Sequence, residues 1–227
     1  MKLMFINIDN YIYIFLNFMI ISVKHKFIFI KTRKVAGSSL EKYLIDKLVD
    51  KETDIHTGTS TNEYSSNNIS RKDGGSVSGH LAIIDIARVL NKNISELVSN
   101  YFIFSIERNP FDKCVSAFFF KKNQYDSFKT YLYSKKFPKD WNKYTINNNI
   151  IGTVYKYENF TKMFKELNLY LNLKSDNILN LDEFSNYNLK SSHRPKKEIY
   201  KKYYDNESRK FVEENFKNEI YRFGYSF

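Results

Sequence analysis

The chain of 227 residues has a single cysteine, Cys114, which excludes an internal disulfide framework and is typical of a reducing compartment. No histidine and cysteine cluster has the spacing of metal ligands, so the sequence predicts no metal site. The formal net charge is +11, but the lysines are scattered without a long basic block. A solvated surface is the default interpretation of such an excess, although nucleic acid, an anionic membrane and a small polyanion are all compatible with it.

Long apolar runs are also missing. Residues 1–23 are rich in apolar side chains, but a membrane span needs about 20 such residues in succession. Polar side chains interrupt the run at Asn7, Asp9, Asn10 and Asn17. The features of a signal peptide are not met either. We therefore predict an N-terminal extension at 1–18, a single domain at 19–227 and a cytoplasmic protein, with a short membrane anchor in residues 1–23 as the alternative.

The most informative stretch covers residues 26–43, with the sequence K-F-I-F-I-K-T-R-K-V-A-G-S-S-L-E-K-Y. Its aromatic and β-branched start, at residues 27–30, predicts a fully buried strand. A turn follows, and then a helix whose apolar face contains Leu40, Tyr43, Leu44 and Leu48. Free N–H groups at such a helix start bind anions, and Gly37 lets the backbone approach closely. The stretch therefore predicts a phosphate site.

A second stretch, residues 101–120, repeats this pattern as Y-F-I-F-S-I-E-R-N-P-F-D-K-C-V-S-A-F-F-F. It begins as a buried strand, and its proline suits the first position of a helix. Arg108, at the end of the strand, has the fork geometry that binds phosphate. Ser116 lies about two helical turns further on, where its hydroxyl can reach the same anion. The alternative for Arg108 is a structural salt bridge with Asp112, four residues on.

The remaining elements are predicted from periodicity. A helix is expected over residues 79–90, a short helix over 95–99, and a strand over 150–157 that leads into a further helix. The apolar face of the first of these helices comprises Leu81, Ile84, Ala87, Val89 and Leu90. The polar tract 51–79 is compatible with a lid, a binding loop or disorder. The segment 121–149 has poor periodicity and is compatible with a surface excursion, while the family resemblance described below implies acceptor-binding elements there as the alternative.

Strands alternate with helices, and both candidate anion sites lie at strand-to-helix turns. This order predicts an α/β, P-loop-like three-layer fold with a central, mainly parallel sheet and helices on both faces. Ligands of such folds bind beyond the carboxyl ends of the strands. The first turn is not the common P-loop, because that motif has two glycines and places its lysine after the second, whereas Lys34 precedes the single Gly37.

Two motifs carry a resemblance to a known family. The order of Lys34 followed by Ala36-Gly37-Ser38-Ser39 resembles the 5′-phosphosulfate loop of sulfotransferases that use 3′-phosphoadenosine-5′-phosphosulfate (PAPS), especially of the carbohydrate and bacterial branch. The run Arg108-Asn109-Pro110, with Val115-Ser116-Ala117 after it, resembles the 3′-phosphate motif of the same enzymes. A basic loop at 189–195 and a closing Phe223-Gly224-Tyr225 resemble the end of that branch.

This resemblance implies an enzyme that moves a sulfuryl group from PAPS to an acceptor hydroxyl, with 3′-phosphoadenosine-5′-phosphate (PAP) as product and without a metal. By analogy the acceptor is a carbohydrate. The 5′ end of the donor is assigned to Arg33, Lys34, Ala36, Gly37, Ser38 and Ser39. Its 3′ end is assigned to Arg108 and Ser116. Ser191, Ser192 and Arg194 belong to a loop that folds over the nucleotide. Arg33 stands where many relatives carry proline, and Lys31 is a second, weaker candidate.

The resemblance also implies catalytic roles. Lys34 would neutralise the charge that grows on the leaving oxygen. His80, at the start of a predicted helix, would accept the proton of the acceptor hydroxyl, because imidazole titrates near neutral pH. A cap of that helix is the alternative role of His80, and Glu41 or Glu107 are alternative bases.

Two other classes of function stay open. A P-loop-type kinase or NTPase would need a Walker lysine and acidic magnesium ligands, neither of which is convincing in the sequence. A noncatalytic basic module would bind DNA or RNA with a steep dependence on salt. We expect the sulfotransferase, with no nucleic-acid partner.

Overall fold

A computed structural model of the chain describes residues 19–50, 54–56, 81–187 and 199–227. The predictions for residues 1–18, His80 and the loop with Ser191, Ser192 and Arg194 lie outside the described residues. Among the residues that the structure describes, none of the helices has the length and apolar content that a membrane crossing requires.

The described strands are β1 (Met19–Ser22), β2 (Phe27–Ile30), β3 (Ile55–His56), β4 (Phe102–Glu107), β5 (Thr145–Ile146), β6 (Asn149–Ile150) and β7 (Thr153–Lys156). One sheet has the order β3-β1-β2-β4-β7, and β5 and β6 form a separate antiparallel pair. The pairs β2–β4 and β4–β7 are parallel, whereas β1 pairs antiparallel with both β2 and β3. The α/β class is confirmed, with the parallel strands β2, β4 and β7 on one side of the sheet and an antiparallel extension of β1 and β3 on the other.

The described helices are α1 (Gly37–Leu48), α2 (Ile83–Val89), α3 (Ile94–Asn100), α4 (Pro110–Phe120), α5 (Phe128–Tyr133), α6 (Phe160–Tyr170), α7 (Leu181–Ser185), α8 (Asn206–Asn215) and α9 (Lys217–Phe223). Side chains of β2 alternate between two cores, as the period of a strand requires. Phe27 and Phe29 pack in a cluster with α1, α6 and α7. Ile28 and Ile30 pack in a cluster with α2 and α3. All four are fully buried, as the sequence predicted.

A third apolar cluster joins α4, α5 and α8. It contains Phe111, Phe118, Tyr131 and Val212, together with Cys114, which is fully buried. Burial raises the pKa of the Cys114 thiol well above its ordinary value.

Two details of the predicted elements were wrong. Ile84, assigned to the apolar face of α2, is 42 % exposed, and Ile83 and Ile86 are the buried residues instead. The expected strand over 150–157 is broken, because Ile150 pairs in the hairpin of β5 and β6 while β7 begins at Thr153. Gly152 separates them with a φ of 83°, and a Cβ there would lie 2.2 Å from a backbone oxygen of β4. Only glycine fits this position, since both the dihedral angle and the space exclude a side chain.

Candidate anion-binding site

The two candidate motifs lie at neighbouring turns on one edge of the sheet. Strands β2 and β4 are parallel and adjacent, with Ile30 opposite Ser105, so their carboxyl ends meet at the same edge. The turn after β2 leads into α1, and the turn after β4 leads into α4. Open α/β sheets bind their ligands at such edges.

Direct hydrogen bonds hold the two turns together. The Ser105 hydroxyl donates to the carbonyl of Ile30 at 2.8 Å, and the Thr32 hydroxyl donates to the carbonyl of Ile106. Furthest along, Nη1 of Arg108 donates to the carbonyl oxygen of Lys34 at 2.9 Å. The residues that the sequence assigned to the two ends of one nucleotide are thus in contact.

Lys34 and Ala36 hold the first turn in an unusual backbone conformation. Their φ angles are 63° and 55°, in the left-handed region, which costs a residue with a side chain roughly 1–2 kcal/mol. Such residues concentrate at functional sites, where the surrounding structure enforces them. The ammonium of Lys34 lies 4.3 Å from the ring centroid of Phe120, whose side chain is 47 % exposed at the end of α4. The lysine therefore points along α4 and toward solvent.

Helix α1 presents its N-terminus at this turn. Ala36 is the N-cap and makes no side-chain capping bond, and the first turn contains no acidic residue. Ser38 is half-buried and Ser39 is 8 % exposed. A helix start with an apolar cap and no acidic side chain favours an anion, because its N–H groups and the positive end of the helix dipole attract negative charge.

Gly37 allows a close approach to a buried ion pair. A Cβ at Gly37 would lie 3.0 Å from Cγ of Lys31 and 3.3 Å from the carbonyl oxygen of Thr32. The ammonium of Lys31 contacts Oε2 of Glu41 at 2.8 Å, and both side chains are nearly inaccessible. Lys31 and Glu41, which were weaker candidates for donor binding and for the general base, therefore serve a buried ion pair beneath the turn.

The side chain of Arg33 points away from the expected phosphate position, toward the segment after α5. Its Nε donates to Oδ1 of Asp140 at 2.8 Å, and its Nη2 donates to the carbonyl of Lys139 at 2.7 Å. Its backbone N–H also donates to Asp140, at 3.0 Å. The structure thus gives Arg33 a role in fixing the turn, whereas the resemblance assigned it to the nucleotide.

Arg108 forms the salt bridge that the sequence left open as an alternative. Its Nε and Nη2 contact Oδ2 of Asp112 at 2.9 and 2.6 Å, and its guanidinium lies 4.3 Å from the ring centroid of Tyr157. With the bond to Lys34, these contacts use three of its five N–H groups. The salt bridge and phosphate binding are compatible, because Nη1 and Nη2 each carry a second hydrogen.

Ser116 lies on the outer row of α4. Asp112, Ser116 and Phe120 follow one another at intervals of four residues and are half-buried or exposed, whereas Phe111 and Val115 are fully buried. This row faces the same side as Arg108 and Lys34, because Asp112 contacts the first and Phe120 the second. Ser116 lies between these two contacts on the accessible row of α4.

Glu107 is enclosed by donors. Its Oε1 accepts from the ammonium of Lys113 at 2.7 Å and from the backbone N–H of Arg108 at 2.9 Å, and its Oε2 accepts from the hydroxyl of Tyr144 at 2.9 Å. The residue is 1 % exposed. It is therefore closed to solvent and already paired, and its position does not favour the role of general base.

Sequence reasoning missed Lys113 and Asp140, which are both fully buried and lie 2.9 Å apart. Burial alone would lower the pKa of Lys113, but the carboxylates of Asp140 and Glu107 outweigh it and raise that pKa. Burial would raise the pKa of Asp140, but Lys113 and Arg33 lower it to about 2. The sequence did contain one signal that Lys113 is buried. It lies three residues after Pro110 and four before Ala117, so all three share the buried face of α4.

No protein-family model, no curated protein and no solved structure matches the chain. Within the described ranges, the histidine, cysteine, aspartate and glutamate side chains form no group of three that could hold a metal ion. The function of this site is therefore argued from its own residues and from the resemblance of its two motifs.

Proposed function

We propose that the chain is a PAPS-dependent sulfotransferase with a P-loop-like three-layer fold, and that the donor lies across the turns after β2 and β4. One observation carries this proposal: the guanidinium of Arg108 contacts the carbonyl of Lys34 at 2.9 Å. Two motifs that resemble the two phosphate-binding elements of one family, and that are distant in sequence, are adjacent in space. Both turns follow adjacent parallel strands, so one ligand at this edge of the sheet can contact both motifs.

In this reaction an oxygen of the acceptor attacks the sulfur of PAPS in line with the bond to the leaving group. The bond between sulfur and the bridging oxygen breaks, PAP leaves with the electron pair, and the acceptor hydroxyl loses its proton to a base. Negative charge grows on the bridging oxygen. The N–H groups at the start of α1 supply a preorganised positive field that stabilises it, and Lys34 adds its charge once its ammonium has moved from Phe120. We assign the base to His80, as the resemblance implies.

Lys34 must leave Phe120 to reach the leaving oxygen. A cation–π contact at an exposed site is worth about 0.5–1 kcal/mol. An ammonium paired with a phosphosulfate in a partly dry cleft gains more than that, because effective dielectric constants near 20 give several kcal/mol at contact distance. The donor can therefore displace the contact with the Phe120 ring.

The 3′-phosphate is assigned to the remaining N–H groups of Arg108 and to the hydroxyl of Ser116. The salt bridge with Asp112 orients the guanidinium of Arg108 and neutralises part of its charge. The ring of Tyr157 covers one face of the guanidinium. Ser192 and Arg194 complete the proposed donor site from their loop. For the acceptor we propose a hydroxyl of a carbohydrate, by analogy alone, and we propose a cytoplasmic location.

Ligand-dependent thermal shift tests this assignment. PAP should raise the melting temperature, because a ligand at 100 times its dissociation constant stabilises the native state by about 2.7 kcal/mol. ATP with Mg²⁺ and a DNA or RNA oligonucleotide are the comparison ligands for the two other classes of function. Stabilisation by ATP or by the oligonucleotide, without a response to PAP, would overturn the proposal.

Transfer of labelled sulfate from PAPS into a panel of glycans, lipids and peptides tests the chemistry. Lys34→Ala should bind PAP within a few-fold of the wild type and lose at least about 100-fold in transfer rate, the usual cost of removing a preorganised charge. Lys42→Ala is the matched control, because Lys42 is a half-buried lysine further along α1. Retained transfer by Lys34→Ala would remove Lys34 from the mechanism.

A further inference from the structure

A buried row of charged groups connects the two proposed phosphate-binding turns through a third segment. Asp140, between α5 and β5, is fully buried. Its Oδ2 accepts from the backbone N–H of Arg33 at 3.0 Å and contacts the ammonium of Lys113 at 2.9 Å, and its Oδ1 accepts from Nε of Arg33 at 2.8 Å. Asp140 thus holds the Thr32–Arg33 peptide and the side chain of Arg33, the residue before Lys34.

The row continues from Lys113 to the second turn. The ammonium of Lys113 contacts Oε1 of Glu107 at 2.7 Å, and that same oxygen accepts from the backbone N–H of Arg108 at 2.9 Å. Lys113 and Glu107 are 0 % and 1 % exposed in their side chains. Buried ion pairs hold a fixed geometry, because the loss of any one partner leaves a buried charge without compensation, which is costly in free energy.

We propose that Asp140 is a positioning residue for sulfuryl transfer, which aligns the turn of Lys34 with the turn of Arg108 through Lys113. The catalytic part of this inference rests on the proposed function, whereas the mechanical connection does not. It also gives the segment 121–149 a defined role as a brace behind the donor site. The carboxylate is essential to it, because its two oxygens accept from three donor groups, and an amide would turn a donor toward a cation.

The test compares Asp140→Asn with Glu183→Gln. The control also removes a carboxylate from an ion pair near α1, since Glu183 contacts the ammonium of Lys47 at 2.7 Å. Amide hydrogen exchange by mass spectrometry should accelerate at least about 10-fold over residues 32–36 and at Arg108 in Asp140→Asn and stay unchanged in the control. In PAPS turnover, Asp140→Asn should lose about 10–100-fold in kcat, the range for partners behind a reacting group, with KM for the acceptor changed less than about 3-fold.

Unchanged exchange over residues 32–36 in a folded Asp140→Asn variant would overturn the connection. If this variant does not fold, the wild type decides. There the amides of Arg33 and Arg108 should be protected and open together as denaturant is added, and an Arg33 amide that exchanges like an unprotected turn amide would refute the proposal.

The two proposals fail separately. A wild-type chain that binds no PAP would overturn the proposed function and the catalytic role of Asp140, while the exchange data still decide the connection. A wild-type chain that transfers sulfate, together with an Asp140→Asn variant of equal kcat, would overturn the positioning role and leave the function in place.

Discussion

Glu219 should give the stability of this protein an unusual dependence on pH. The residue lies on α9 and is only 3 % exposed. Burial, with the carboxylate of Glu107 as a further cause, raises its pKa from 4.5 to about 7, although Lys113 and Lys139 oppose the shift. The native carboxyl thus holds its proton more tightly than the unfolded one. Its contribution to stability is fully present below about pH 4.5 and is lost as the pH rises through about 7.

The size of the effect follows from the same interval. Between 4.5 and about 7, at about 1.4 kcal/mol for each pH unit, the native state loses up to about 3 kcal/mol. Glu219→Gln removes this loss, so the variant should exceed the unfolding free energy of the wild type by less than about 1 kcal/mol at pH 5 and by about 3 kcal/mol at pH 8. Asp140 adds no slope in this range, because its pKa is held near 2.

Urea denaturation at several pH values between 5 and 8 measures the difference. Glu214→Gln, which changes an exposed glutamate on the adjacent α8, is the matched control and should leave the pH dependence of the wild type intact. Parallel curves for the wild type and Glu219→Gln would refute the reasoning, since they would mean that Glu219 ionises in the native state as it does in the unfolded chain.

Three further substitutions test the site and the core. Gly37→Ala should cost about 1–3 kcal/mol in urea denaturation, because its Cβ would press on the buried stem of Lys31 at 3.0 Å. Arg108→Lys should weaken PAP binding at least about 10-fold in calorimetry, since a single ammonium cannot replace the fork that contacts both Asp112 and the Lys34 carbonyl. Leu40→Ala should cost about 2–5 kcal/mol, as expected for a fully buried leucine, while the folded fraction keeps its affinity for PAP.

Local patterns were sufficient for the elements that carry the site. The strand at Phe27–Ile30 is indicated by its short length, its β-branched and aromatic residues and the turn that follows, and the helix at Gly37–Leu48 by a 3.6-residue apolar period. The prediction of the apolar face of α2 was wrong because positions 83 and 84 are both isoleucine, and only tertiary packing decides which of the two is buried. The break at Gly152 could not be predicted from its neighbours in sequence, because the atom that excludes a side chain there is the backbone oxygen of Ile103 in β4.

The contacts that the candidate site residues make differ in how far the sequence could predict them. The short-range pair of Arg108 and Asp112 follows from helical spacing and was recognised as an alternative. The contacts of Asp140 with Arg33 and Lys113 cross 107 and 27 positions of sequence, and no periodic pattern encodes such a distance. The roles of His80, Ser192 and Arg194 stay predictions, because these residues lie outside the described ranges.

The buried thiol of Cys114 can report when the apolar cluster around it opens to solvent. Thiol reagents attack the thiolate, and this side chain is closed to solvent and has its pKa raised by the apolar cluster of α4, α5 and α8. Labelling must therefore wait until that cluster opens. Because the sequence has one cysteine, the rate of thiol modification reports on the opening of this one cluster. It therefore measures how often the cluster of α4, α5 and α8 opens, without any engineered probe.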